Sequence, residues 1–308
     1  MNIKELKIKN YTTLDFYNIL PKLKDDLNKY TRGKCICIAG GKSYPGAAIL
    51  TSNSADISGC GYVELYTYNK YVDNIAINYP SIPVWPYENI SECLDKSSNY
   101  KNPKSFVVGP GFNKDDEFLV EIIFKIVENV KNTPIVFDAG ALNFICDNTI
   151  KNAIKKNKNK NIYILTPHMG EAFNIAFNLN IEINNSKDNF QLYLCKKLSE
   201  IFNAICILKD SDTYIYNKNQ AYIYTLGGPE LSHAGSGDIL AGILGSLYAH
   251  GGKDYFDYAS LGVYIHGLAA YLASIDNSVY CVGPSSLLNY IPKAFKYILD
   301  SSQSKNNL

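Results

Sequence analysis

Several familiar signatures are missing from this chain, and each absence removes a class of function. Its eight cysteines, at positions 35, 37, 60, 93, 146, 195, 206 and 281, include no Cys-x-x-Cys pair and no second Cys/His pair at zinc spacing. Free, mostly buried thiols in a reducing compartment are therefore expected. No uninterrupted run of 18 apolar residues occurs, so no membrane span is expected. The first ten residues lack the apolar centre of a secretory signal, which points to a cytoplasmic protein. Thirty basic and 29 acidic side chains leave a formal charge of +1, and no basic cluster is interleaved with aromatics, so neither nucleic acid nor an acidic membrane is an expected partner.

Gly40-Gly41 is not the start of a Gly-x-Gly-x-x-Gly fingerprint, and no Gly-x-x-x-x-Gly-Lys segment is present. A dinucleotide-dependent dehydrogenase and a P-loop enzyme are set aside on that ground. No Ser/His/Asp order or Cys/His pair suggests covalent catalysis. No internal repeat, low-complexity tract or linker divides the chain, so a single domain over residues 1–308 is expected, with 1–30 as an arm and 301–308 as a polar tail.

What remains is an ordinary globular composition, 46% hydrophobic and 19% charged, arranged as short apolar runs that alternate with amphipathic ones. Strands are expected at 34–39, 62–68, 105–108, 134–137, 161–165 and 204–208, with a hairpin at 213–216 and 221–225. Helices are expected at about 45–58, 115–131, 170–178, 187–202, from 238, 255–275 and 284–299. Such alternation implies an α/β fold whose mostly parallel sheet is covered on both faces. Functional residues of such folds gather at the carboxyl ends of strands. Gly41, Gly109-Pro110-Gly111, Asp138, Pro167-His168 and Lys209 all fall there, and Gly237-Asp238 opens the last core helix.

Gly235-Ser236-Gly237-Asp238 is the most informative of these. A small-residue turn entering an apolar helix leaves N–H groups for an anion, and two glycines let a ligand approach the backbone. A carboxylate at the same place could take a proton from a hydroxyl, which together suits phosphoryl transfer. The competing reading makes Asp238 a first-turn acid that only stabilises its helix. The helix N-terminus is expected to lower the pKa of Asp238. His168 could hydrogen-bond a polar ligand or be structural. Glu171 could reach a nucleotide's Mg2+ through water or only compensate its helix dipole. Lys209 could meet nucleotide phosphates or be the shoulder of a surface hairpin. His233, His250 and His266 carry no pattern of their own, and His250 is expected at a helix C-terminus where a charged ring suits the dipole.

Taken in order, the segment from Gly40 to Ala47, Gly109-Pro110-Gly111, the run from Asp138 to Asn143, the run from Leu165 to Glu171, Leu208-Lys209 and Gly235-Ser236-Gly237-Asp238 closely resemble the ADP/ATP-dependent NAD(P)H-hydrate dehydratase family over about residues 20–300. The resemblance implies a ribokinase-like three-layer α/β/α fold, without the epimerase domain that some members carry. It implies repair of (6S)-NADH-hydrate or NADPH-hydrate, with ADP or ATP as co-substrate, Mg2+ as cofactor and a homo-oligomeric assembly. The hydrate hydroxyl would be phosphorylated and phosphate then lost. Carried over by position, Ala47, Gly111, His168 and Asp238 would contact the hydrate. Lys209, Asp210, Ser211, Asp212, Thr213 and Gly237 would contact the nucleotide. Asp238 would be the base, and Gly235, Ser236 and Gly237 the anion hole. Three positions depart from the family pattern: Gly140 stands in place of an aspartate, Asp210 in place of a glycine, and residues 229–234 replace an asparagine- and glycine-rich run. A small-molecule kinase of the same fold (hydroxyethylthiazole or hydroxymethylpyrimidine type) and a non-catalytic nucleotide-binding relative are the competing readings.

Overall fold

The computed structural model describes residues 7–98, 103–183, 189–252 and 254–302. Its strands are β1 (Lys7–Ile8), β2 (Lys34–Ile38), β3 (Tyr62–Thr67), β4 (Val84–Pro86), β5 (Lys104–Val108), β6 (Pro134–Phe137), β7 (Ile162–Leu165), β8 (Ile205–Lys209), β9 (Thr213–Asn217) and β10 (Gln220–Tyr224). They form one sheet in the order β1-β10-β9-β8-β7-β6-β5-β2-β3-β4. Every pairing from β4 across to β8 is parallel, β9 pairs antiparallel with both β8 and β10, and β1 is parallel to β10.

The helices are α1 (Thr13–Ile19), α2 (Pro45–Ile57), α3 (Val72–Asn78), α4 (Ile90–Ser98), α5 (Phe118–Asn129), α6 (Gly140–Phe144), α7 (Asn148–Lys156), α8 (Met169–Asn178), α9 (Phe190–Phe202), α10 (Ser236–Ala249), α11 (Tyr255–Asn277), α12 (Pro284–Leu288) and α13 (Ile291–Asp300). Alternation along each strand divides them into two layers. In β2, Cys35 and Cys37 face a core built with α2, α10 and α11, while Ile36 and Ile38 face one built with α5, α7, α8 and α9. That is the expected three-layer arrangement. Six of the eight cysteines are buried and all are free; Cys146 is half-buried and Cys281 is exposed.

α10 lies deepest, and its small residues are the reason. A Cβ at Gly242 would come within 1.9 Å of Ser54 Oγ and 2.2 Å of the Thr51 carbonyl on α2, so only glycine allows the two helices this separation. α11 is long and apolar enough to cross a membrane by length and composition, yet 78% of its apolar window is packed inside the molecule. It is a core helix here.

Two helices depart from the sequence expectation by a break or by three residues at one end, each for a local reason. The helix expected at 284–299 is two helices, because Pro292 has no N–H to give and its ring collides with the carbonyl four residues earlier. The helix expected from 115 begins at Phe118; Asp116 instead accepts from the Asn113 N–H at 2.8 Å and closes the turn before it. The helix expected from 187 is seen from Phe190, residues 184–188 lying outside the described set. The N-terminal arm is anchored: Thr12 and Asp15 cap α1 reciprocally, Phe16 is fully buried, and β1 adds a strand to the sheet edge.

Candidate active site

Because β2 and β5 to β8 run parallel, the residues that follow them meet along one edge. Backbone hydrogen bonds tie these exits to each other: Gly41 N–H to Gly111 O (3.0 Å), Gly140 N–H to Gly109 O (3.2 Å) and Lys209 N–H to Pro167 O (2.8 Å). Gly111 has φ +76°, and a Cβ there would lie 2.6 Å from that of Ala47, so the loop can touch the start of α2 only as glycine.

A charged cluster sits at the centre. Asp138, 2% exposed at the end of β6, accepts through Oδ1 from Lys209 Nζ (2.8 Å) and from Thr166 Oγ1 (2.7 Å). Lys209 lies beside Gly237, where a Cβ would be 3.2 Å from its ammonium. Burial disfavours the Lys209 charge, but Asp138 and Glu171 outweigh it and hold its pKa above the ordinary value. Glu171 is pushed up, first by burial and against the pull of Lys209.

Asp238 overturns the expectation set by its helix dipole. Its carboxyl is pushed up to about 7, first by burial and then by the negative charge of Asp138, with Lys209 opposing. Desolvation and like charges exceed what one helix terminus supplies. A half-buried carboxylate poised near neutrality is suited to general-base work. His250 also departs from expectation. It does end α10, but burial, then Arg32, push its pKa down to about 4, so its ring is neutral and adds no charge to the helix end.

The turn expected to bind an anion differs in one detail from the sequence expectation. Gly235 takes φ +99° and caps α10. The Ser236 N–H is used on His233 O (3.1 Å), which leaves the amides of Gly237 and Asp238 without a partner among the described residues. Ser236 instead offers its hydroxyl, which lies 3.1 Å from His266 Nε2 on α11; both side chains are buried. Burial pushes the His266 pKa down to about 4, so this ring is neutral too. Sequence reading passed over His266, because nothing in a run of core residues marks the one that faces a turn 30 positions away.

His168 caps α8. Its Nδ1 accepts from the Glu171 N–H (3.3 Å), and Glu171 Oε2 accepts from the His168 N–H (2.8 Å). An accepting Nδ1 assigns the ring proton to Nε2, an exposed donor. Glu171 is therefore a capping residue, with Oε1 still 3.6 Å from the His168 ring.

Two cavities meet at this cluster. One, of about 950 Å3, is lined by Ala47, Gly111, Gly140, His168, Glu171 and Asp238, so the four residues expected to hold the hydrate share it. The other, of about 720 Å3, is lined by Lys209, Asp210, Ser211, Thr213, Gly237 and His266 among others, and His168 and Gly235 border both. Asp212 is absent from that lining; its carbonyl accepts from the Asp210 N–H and closes the β8–β9 turn. Asp210 bonds Gln191 Nε2 through Oδ2 (3.2 Å). At Gly140 a Cβ would lie 2.5 Å from Phe112 O, so the family's aspartate does not fit this backbone and its place is taken by the loop carrying Phe112. Among the described residues, no group of three or more His, Cys, Asp or Glu could hold a metal.

A family model described as NAD(P)H-hydrate dehydratase matches residues 35–293. The ADP-dependent (S)-NAD(P)H-hydrate dehydratase of Neisseria meningitidis is 28% identical over 262 residues, covering 84% of this chain and 83% of that protein. The bifunctional NAD(P)H-hydrate repair enzyme of Thermofilum pendens is 28% identical over 298 residues, and the chain spans 54% of its length. Among solved structures, the Bacillus subtilis ADP/ATP-dependent NAD(P)H-hydrate dehydratase, co-crystallised with ATP/Mg2+ and soaked with CoA, superimposes with a TM-score of 0.75 at 22% identity, covering 97% of this chain and 100% of that one. This last likeness speaks to fold.

Proposed function

The chain belongs to the NAD(P)H-hydrate dehydratase family, and from that premise we propose that it dehydrates (6S)-NADH-hydrate or NADPH-hydrate to the normal reduced cofactor, consuming ADP or ATP. The observation that carries the reading is the meeting of two cavities at one turn. Asp238 lies in one, and Lys209 and Gly237 in the other, so an acceptor hydroxyl and a donor phosphate can face each other across Gly235.

Asp238 takes the proton of the hydrate hydroxyl. That oxygen bonds to the terminal phosphorus of the nucleotide, and the bond from phosphorus to the bridging oxygen breaks, releasing the nucleotide one phosphate shorter. The free amides of Gly237 and Asp238, the Ser236 hydroxyl and the Lys209 ammonium surround the place where charge builds on the transferred group. The phosphate then leaves with the C–O bonding pair, a proton leaves the neighbouring ring carbon, and the double bond is restored. His168, which lines the same cavity as Asp238, orients the hydrate through its Nε2–H.

With no protein cage for a metal among the described residues, Mg2+ would arrive on the nucleotide phosphates, and Glu171 Oε1 is the carboxylate oxygen left to reach it through water. When bound, the ion would supply neutralisation of phosphate charge. The test is to incubate the protein with (S)-NADH-hydrate, Mg2+ and either ADP or ATP, following the absorbance of restored dihydronicotinamide. Recovery that depends on nucleotide supports the reading. Nucleotide turnover with a thiazole or pyrimidine alcohol, and no recovery of cofactor, overturns it.

A further inference from the structure

At the far end of α10 from the active site lies a third cavity, of about 790 Å3, which shares no lining residue with the two already described. Fourteen helical residues separate the two ends, about 21 Å at 1.5 Å per residue. Its volume is within the range of small-molecule sites.

The walls are apolar, with Leu20, Ile57, Leu247 and Phe295 contributed by four different segments. The charged lining residues are Lys22, Arg32 and Lys296, all cationic; no Asp or Glu lines it among the described residues. Arg32 is held in place, since its Nε–H donates to Gly59 O at 2.6 Å, which fixes the guanidinium plane and leaves its Nη edge for an anion.

We propose that this cavity is a binding site for a small amphipathic organic anion, an apolar body against Leu247 and Phe295 with its anionic head on Arg32. Lys22 and Lys296, both exposed, add positive potential at the mouth. The site is independent of the proposed dehydration.

The probe is decanoate, titrated by calorimetry into the full chain saturated with ADP and Mg2+, with decan-1-ol as the uncharged control. The expected result is one decanoate per chain, bound at least tenfold more tightly than the alcohol. Arg32→Gln weakens decanoate at least tenfold without changing the alcohol. Lys296→Glu, on an exposed position of α13, gives a smaller loss in the same direction and decides the matter should Arg32→Gln fail to fold. Equal affinity for acid and alcohol overturns the proposal, as does competition by ADP. So does an absence of binding, including the case in which Lys296→Glu instead changes the oligomeric state and marks this face as a contact between copies.

Discussion

The Lys209 ammonium lies 2.8 Å from Asp138 Oδ1, on an oxygen that also accepts from Thr166, and this pair sets the electrostatics of everything around it. Asp138 holds the lysine charged within a desolvated site; the lysine in turn restrains the proton affinity of Glu171 and Asp238. Lys209→Met leaves Asp138 buried without its cation, and a stability loss of about 3 kcal/mol is expected by denaturant titration. Asp138→Asn keeps the shape but removes the charge that raises the Asp238 pKa. The acid limb of the pH–rate profile should then move to lower pH, while overall activity falls because Lys209 has lost its anchor. An unmoved limb would contradict the assigned coupling.

The unmodified protein has its own expected pH dependence. Asp238 must be ionised to accept a proton, and its carboxyl is pushed up to about 7. The value of kcat/KM for the hydrate should therefore rise with pH and level off above neutrality. The apparent midpoint belongs to the coupled group of Asp138, Glu171, Lys209 and Asp238 as a whole. A limb near pH 4 would show that a carboxylate with an ordinary pKa acts instead.

Asp238→Asn should abolish most turnover while leaving ADP binding within about tenfold, about 1.4 kcal/mol. It also carries a stability signature whose sign follows from linkage. A carboxyl whose folded pKa is raised keeps its proton in the native state while the unfolded chain loses it, so the native state loses stability as pH rises from about 4 to about 7. Above that window the ionised group remains a burden on the fold. The asparagine variant should thus be more stable than the parent at pH 8, by on the order of 2 kcal/mol, and nearly equal to it at pH 4. Thermal melts at the two pH values check this, and equal differences at both would contradict it.

The sheet and the edge where chemistry gathers are legible in the chain because parallel strands buried on both faces are short apolar runs, and each ends in a residue that no core would choose: Gly109, Asp138, His168, Lys209. Less legible was what depends on distance in space. β1 has only Lys7 and Ile8, too few residues to show a period, and its partner β10 lies more than 200 positions away. The Ser236–His266 contact joins two helices through core positions. The Asp238 pKa was misjudged because a first-turn position reveals the dipole, whereas burial and the facing Asp138 appear only after folding. Asp210 and Gly140 look like damage to a pattern in the sequence. In the structure Asp210 bonds Gln191, and Phe112 occupies the space at Gly140.

His168 borders both cavities, but its cap on α8 uses Nδ1 and its own N–H, which leaves Nε2–H for one polar ligand. His168→Ala should raise the KM for the hydrate about tenfold or more, the value of one hydrogen bond, and change the KM for nucleotide much less. His168→Asn, which can still cap α8 through its side-chain oxygen, separates loss of the cap from loss of the donor. An effect confined to the nucleotide would place His168 on the other ligand.

The bond between Ser236 and His266 is the last to be tested, because it asks whether the hydroxyl acts on the transferred phosphate or only fills space. With Ser236 N–H already used on His233 O, the hydroxyl is what this residue has left to offer an anion, and the neutral His266 ring fixes its direction. Ser236→Ala and His266→Ala should each lower kcat by about 10- to 100-fold, the range for loss of part of a preorganised anion site, with little change in the KM for hydrate. If the ring acts through the hydroxyl, the double variant should be no worse than the poorer single one, a coupling that a double-mutant cycle reads directly. His266→Gln, which can still bond Ser236 Oγ, should recover part of the rate. Additive losses with no recovery would leave His266 as packing alone, and the anion would then rest on the amides of Gly237 and Asp238 and on Lys209.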